Sequence, residues 1–344
     1  MKARTLFATL LFSLLASNTF AQMPNYDGSP LEYDESFTRK KVGDANSEYL
    51  PEISGMVCSR VTPGYLWVMS DESYKVRAML PDGTFTSTIR VAKSYRDWEG
   101  LSGGVYNDTN YLFVGIFGDN DLHYKDKYYI YYFAEPEIVD GDIEVDVDTI
   151  HFGYPDGVAH NAETVMYDNV EQMLYIVDKY DSSDAMGVVY SLPFRTDYEG
   201  MQVVKEECKL GNGANFMNPT GGDISPEGNY ILVKNEGFTL IWTRESNESV
   251  AEAMARRPKQ VKAYKREQQG EAIAWLDSTT FYTTSDVGSG VAPIYMYTKT
   301  TPDAVEDVEV DTDTKSYKML DRESQIVKIC SGDKVYSLLG NEIE

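Results

Sequence analysis

Cysteine and histidine are scarce in this 344-residue chain, which holds three of each. Cys58, Cys208 and Cys330 are an odd set far apart in sequence, so at most one bridge can form and no disulfide framework supports the fold. No CxxC or Cys/His spacing occurs, which leaves structural zinc and a dithiol redox pair without ligands. Basic residues are also few, 31 against 55 acidic ones, for a formal net charge of −24. Nucleic acid is a poor partner for such a chain, whereas divalent cations and cationic ligands suit it. After the N-terminus no apolar run is long enough to cross a bilayer. Helix signals are nearly missing too: the one convincing stretch is Glu248 to Arg257, ended by Pro258. No nucleophile elbow, Walker loop or histidine-rich metal motif appears.

What is present begins with Met1-Lys-Ala-Arg4, an apolar stretch from Leu6 to Ala16, and Thr19-Phe20-Ala21 before Gln22. That order of charged, apolar and small residues is a secretory signal peptide. Residues 1–21 are therefore expected to be a leader, and the protein to be secreted, periplasmic or on the cell surface. No cysteine follows until Cys58, so the leader is not that of a lipoprotein.

The rest is an internal repeat. Five times an alcohol, acid or glycine stands two residues before an apolar position: Ser54-Gly-Met56, Glu99-Gly-Leu101, Glu163-Thr-Val165, Gly222-Asp-Ile224 and Glu271-Ala-Ile273. Each instance is followed by a second apolar run, such as Tyr65 to Met69 or Leu174 to Val177, and then by a third. A fourth run follows in four of the five, at Phe85 to Val91, Val145 to Phe152, Gln202 to Leu210 and Gln260 to Tyr264. Four short antiparallel strands repeated in this way make a β-propeller blade. The fifth repeat lacks its fourth strand, and Ser36 to Val42 stands in the place from which it is supplied. The expected fold is an all-β, five-bladed β-propeller of four-stranded blades over residues 22–300, closed by an N-terminal strand; six blades is the alternative. Residues 301–314 read as an acidic linker and 315–344 as a C-terminal hairpin tail.

In a propeller the start of each inner strand and the end of the second strand share one face. Ser54, Glu99, Glu163, Gly222 and Glu271 should therefore ring one mouth of the channel, surrounded by Asp71, Asp119, Asp178, Asn235 and Asp286. Three carboxylates held close together raise one another's pKa or demand a cation. An oxygen-only donor set favours Ca²⁺, with Mg²⁺ second because it needs a stricter octahedron. The bland reading of the same glutamates is that they accept backbone hydrogen bonds from the neighbouring blade, or are solvated. For general-base chemistry the candidates are Asp71, Asp119 and His160. Trp98, Lys179 and Lys234 are the candidates for ligand contact, Trp98 by stacking and the lysines by charge. Against those roles, a tryptophan beside Glu99 fills the gap between blades, and lysines at the rim pair with surrounding acids.

The runs Glu52-Ile-Ser54, Trp98-Glu99-Gly-Leu, His160-Asn-Ala-Glu163, Gly222-Asp-Ile and Gly270-Glu271-Ala-Ile resemble the calcium-dependent apyrases. Those are five-bladed propellers that hydrolyse nucleoside diphosphates around a central calcium. The family's axial ligands run serine, glutamate, glutamate, serine, glutamate, which the resemblance places on Ser54, Glu99, Glu163, Gly222 and Glu271, with glycine in place of the second serine. Asp97-Trp-Glu99-Gly, Gly118-Asp-Asn120, Glu135-Pro136 and Gln269-Gly-Glu271-Ala are similar to the phytase-like esterase propellers. The tail resembles the C-terminal appendages of exported Bacteroidetes proteins, some of which serve secretion sorting. The apyrase pattern carries basic residues after its second strands, where this chain has Ser70-Asp71-Glu72 and Gly118-Asp119-Asn120-Asp121. The expectation is accordingly a secreted, calcium-centred binding module whose acidic mouth takes a small-molecule, glycan or protein ligand. The alternative is a calcium-dependent phosphoester or carboxylic ester hydrolase.

Overall fold

The computed structural model describes residues 25–26, 29–46, 52–71, 74–91, 97–179, 187–212, 218–286 and 290–300, with four strands between residues 316 and 343 described by their backbone alone. The leader 1–21, the linker 301–314 and the side chain of Cys330 lie outside the described residues. Cys58 and Cys208 are free thiols.

Five blades form a ring, and almost no helix is present. Blade 1 consists of Ile53–Cys58, Leu66–Ser70, Lys75–Met79 and Phe85–Arg90. Blade 2 is Leu101–Tyr106, Thr109–Ile116, Tyr128–Ala134 and Asp148–Gly153, and blade 3 is Ala162–Asp168, Met173–Asp178, Val188–Pro193 and Lys205–Lys209. Blade 4 is Gly221–Ile224, Tyr230–Lys234, Thr239–Thr243 and Lys259–Val261. Blade 5 takes Ala272–Asp277, Thr280–Thr284 and Val291–Lys299 from the end of the repeat and Phe37–Asn46 from the N-terminus as its fourth strand. Each inner strand touches the next, and that of blade 5 touches that of blade 1, so the ring closes at five and leaves no place for a sixth blade.

Stacking of blades explains why the inner strands lack polar alternation. Ile53–Cys58 and Ala162–Asp168 are buried at every position, because each face of a blade is covered by its neighbour. The core lies in these seams. Phe113 stacks on Tyr167 at 4.9 Å and meets Phe194 edge-on at 4.8 Å between blades 2 and 3, a geometry that adds to simple area burial.

Three outer edges are longer than the repeat implies. Gly141–Ile143 adds parallel to the fourth strand of blade 1, Met201–Val203 to that of blade 2, and Tyr33–Asp34 to that of blade 4. The expected single strand from Gln202 to Leu210 is thus divided: its start closes blade 2, Val204 donates to the Gly153 carbonyl at 3.1 Å, and Lys205–Lys209 forms blade 3. Covering an edge this way removes unpaired backbone groups that would template aggregation. The helix is shorter than expected, Val250–Ala255, and opens with a capping box between Ser249 and Glu252.

Lys299–Glu344 forms a second compact unit. The expected hairpin is there, between Ile326–Ser331 and Lys334–Tyr336, but Ser316–Asp321 and Glu342–Ile343 flank it, so the tail is a four-stranded antiparallel sheet.

Candidate functional site

The mouth of the channel is built by a clasp that recurs within blade after blade. Two residues before an axial position, a backbone carbonyl accepts the N–H that follows the second strand: Asp71 donates to Glu52 at 3.3 Å, Lys179 to Asn161 at 2.7 Å and Asp286 to Gln269 at 2.8 Å. Glu52 and Gln269 adopt φ of 51° and 44° at these positions, in the left-handed region that non-glycine residues adopt uncommonly. In blade 4 the direction reverses, and Thr220 donates to the Lys234 carbonyl at 2.9 Å. The clasp ties the starts of the inner strands to the ends of the second strands, so the axial residues share one face. It also corrects the second ring. The blade 3 residue matching Asp71 and Asp286 is Lys179, not Asp178.

Ser54, Glu163, Gly222 and Glu271 line one cavity of about 10 Å³, room for a single water-sized occupant. Glu99 stands beside them: burial first, and then the charges of Glu163, Glu271, Asp97 and Asp71, push its carboxyl well above the usual range. Burial also raises Glu163, against the pull of the Lys179 ammonium. Glu271 is pushed up to about 8, by burial and then by Glu163 and Asp286, with Lys179 opposing. Lys179 donates to Glu163 Oε1 from a side chain that is only 24% exposed. Burial works against its charge, yet Glu163, with Glu99 and Glu271, holds the ammonium above the ordinary lysine value. The arrangement is a set of oxygen donors with more carboxyl groups than one lysine can pair.

Two of these positions have a local reason. Gly100, at φ 79°, places its Cα where an added Cβ would lie 2.9 Å from the Val165 amide nitrogen, so only glycine lets the strands of blades 2 and 3 approach this closely. At Gly222 an added Cβ would lie 2.8 Å from the Leu232 carbonyl oxygen and 2.9 Å from Met166 Sδ. The packing that surrounds this position therefore excludes serine. The neighbouring Thr164 lines the same cavity, and its buried hydroxyl has no hydrogen-bond partner among the described residues. Thr164 also sits beside Gly222, with its methyl carbon 3.0 Å from where an added Cβ would stand.

Off the axis, carboxylate oxygens of Asp71, Asp97 and Glu99 lie within 4.8 Å of one another. Asp97 and Thr164 were not anticipated. A signal for Asp97 was available: the residue two before each axial position, Glu52, Asp97, Asn161, Thr220 or Gln269, is polar in every repeat.

Several candidates have structural work instead. Trp98 is fully buried and packs edge-on against Tyr74 at 5.7 Å and Tyr131 at 6.4 Å, which takes it out of reach of a ligand. Asp119 accepts from the backbone N–H groups of His123 and Tyr124, each at 2.8 Å, and from the Tyr128 hydroxyl at 3.0 Å; these bonds fix a loop and occupy its oxygens. His160 is held from both sides, Nδ1 by Asp178 at 2.7 Å and Nε2 by Asp156 at 3.0 Å, with Tyr154 stacked 4.1 Å away. Burial opposes its charge, but the two carboxylates lift its pKa above the ordinary value, and both ring nitrogens are taken up by protein partners. Lys234 is no rim lysine: it is completely buried, 3.0 Å from Glu267 Oε2. Glu267, which no motif marked, also accepts from Thr283 at 2.6 Å and Arg39 at 3.2 Å. Asp71 alone of the proposed bases stays at the mouth, within the carboxylate trio.

A larger polar pocket of about 540 Å³ opens beside the axis, lined by Lys179, Asn218, Gln269, Arg266, Glu236 and Glu271 among others. It joins the axial Glu271 to the surface groups Arg266 and Glu236.

No family model matches this chain, and no curated protein matches it. Solved structures match in fold. A glucose dehydrogenase aligns over 77% of this chain and 100% of its own at 9% identity and a TM-score of 0.46. A putative gluconolactonase aligns over 78% and 94% at 9% identity and 0.40. The β-propeller domain of Cps50 (Swd1) from Myceliophteria thermophila aligns over 72% and 84% at 14% identity and 0.37. At such values the likeness extends to no substrate or reaction.

Proposed function

We propose that this chain is an exported propeller that holds a divalent cation, Ca²⁺ first and Mg²⁺ second, at the mouth of its channel, and uses the acidic face around it to bind a small-molecule, glycan or protein ligand. The observation that carries this reading is one water-sized cavity lined by Ser54, Glu163, Glu271 and Thr164, the last with a buried hydroxyl that has no partner among the described residues, beside Glu99, whose carboxyl both glutamates raise. Every donor is an oxygen, which suits a hard cation with flexible coordination. Ser54, Glu99, Glu163 and Glu271 would hold the ion, joined by the Gly222 carbonyl and Thr164. Bound there, it supplies the positive charge that lets the glutamates stay ionised and gives a ligand oxygen a Lewis-acid contact.

A binding role suits the mouth better than catalysis, because Asp119 and His160 are spent on protein hydrogen bonds. Calorimetric titration of chelator-treated protein with CaCl₂, beside melting curves, tests the reading. Saturable binding with a rise in melting temperature is expected; no binding and no shift sinks it.

One observation favours the hydrolase alternative, the pocket of about 540 Å³ that reaches Glu271. A screen of phosphoester and carboxylic ester substrates decides it. Turnover that requires Ca²⁺ and disappears in Glu163→Gln, with the fold intact, would replace binding by catalysis.

A further inference from the structure

We propose that Lys179 is a built-in rival of the axial cation: its ammonium and a divalent ion compete for the carboxylates of Glu99, Glu163 and Glu271. The inference rests on the cation reading above and concerns how that site is loaded.

Lys179 occupies the rank at which blades 1 and 5 carry Asp71 and Asp286, so a cation stands where those two blades place an acid. Its position is not accidental. The bond from its N–H to the Asn161 carbonyl at 2.7 Å fixes the backbone, and the side chain reaches inward to Glu163, an axial residue that is itself almost wholly buried. Its charge also acts on Glu99 and Glu271, so one ammonium serves the whole set of glutamates. A divalent ion in the same water-sized cavity needs those oxygens, and in a poorly solvated mouth it repels the ammonium strongly. Both would draw on the one carboxylate of Glu163, where the ammonium already holds Oε1.

The lysine has somewhere to go. It also lines the pocket of about 540 Å³ together with Gln269 and Arg266, so a change of side-chain torsions can take the ammonium off Glu163 while the clasp stays closed. Because coupling between two ligands of one site is reciprocal, whatever the ion does to the lysine, removing the lysine's charge must do in reverse to the ion.

Calorimetric titration with CaCl₂ of chelator-treated native protein, Lys179→Met and Lys179→Gln tests this near neutral pH. Both variants are expected to bind Ca²⁺ about 5- to 150-fold more tightly than the native chain, the usual span of a coupling between sites. Melting temperatures without Ca²⁺ should fall in both and recover when it is added. A second readout needs no substitution: reductive methylation followed by mass spectrometry. Lys179 should react slowly beside the exposed Lys205, 74% accessible, and several-fold faster once Ca²⁺ saturates the protein. Binding by the variants where the native chain binds nothing supports the rivalry but overturns the reading that the native chain holds the ion. Equal or weaker binding by the variants, or unchanged labelling of Lys179 at saturation, overturns the rivalry and leaves the axial cation standing. No binding by any of the three proteins overturns the axial cation and the rivalry together.

Discussion

Glu271 is the residue whose proton matters most at ordinary pH. Its folded pKa of about 8 lies above the ordinary 4.5, so between those values the folded chain binds more protons than the unfolded one. Stability then falls as pH rises across that window and levels off above it. Melting curves taken in a chelator should decline from pH 5 to 8, by about 2–4 °C for each kcal/mol lost, and saturating Ca²⁺ should flatten the decline. Glu271→Gln should blunt the pH dependence and weaken Ca²⁺ binding about tenfold or more; a variant that keeps native affinity would remove Glu271 from the site. Gly222 makes the complementary point. Gly222→Ser restores a hydroxyl to the ring, yet its Cβ is pressed against Leu232 and Met166. A loss on the order of 1–3 kcal/mol in denaturant melts is expected from overpacking, with no gain in metal affinity.

At the scale of elements, the buried Lys234 and Glu267 pair joins blade 4 to blade 5 through Arg39 and Thr283. Burial lowers the Lys234 pKa, against Glu267, so removing the acid alone strands a charge in the core. Glu267→Gln should cost about 3–5 kcal/mol, and adding Lys234→Met should recover part of that loss in a double-mutant cycle; purely additive losses would show that the two do not act as a pair. Nothing in the sequence marked this network, because Lys234 ends a strand as a rim lysine does, and Glu267 lies in the loop that follows blade 4. The inner strands were legible for the opposite reason: Ser54, Glu99, Glu163, Gly222 and Glu271 recur at one rank before apolar runs, and packing on both faces enforces those runs. The added outer strands were not legible. Three residues such as Gly141–Ile143 have no periodicity to read, and they pair only because a neighbouring blade leaves an edge open. His160 and Asp119 misled for a related reason, since a polar residue in a loop has the same letter whether it meets substrate or fastens the loop.

For the whole molecule, closure of the ring by Phe37–Asn46 makes a strand that precedes the first repeat part of the last blade. A chain beginning at Glu52 should lose cooperative unfolding and aggregate through the opened edge of blade 5; a soluble monomer with a native melting temperature would show that the N-terminal strand is dispensable. Acidity acts on this scale too. A formal charge of −24 keeps copies apart in solution and draws cations toward the mouth, so association of Ca²⁺ should slow as salt screens the field.

Closure of this kind also imposes an order in time. As the chain is made, Phe37–Asn46 emerges early and must wait, on the order of tens of seconds at ordinary rates of synthesis, for the strand it joins in blade 5. During that wait the other blades can stack, but the circle stays open, and its two free edges belong to the beginning and the end of the same polypeptide. The slowest step of folding should therefore be a single long-range encounter. Conditions that crowd nascent chains would divert that encounter between molecules, joining the start of one copy to the end of another.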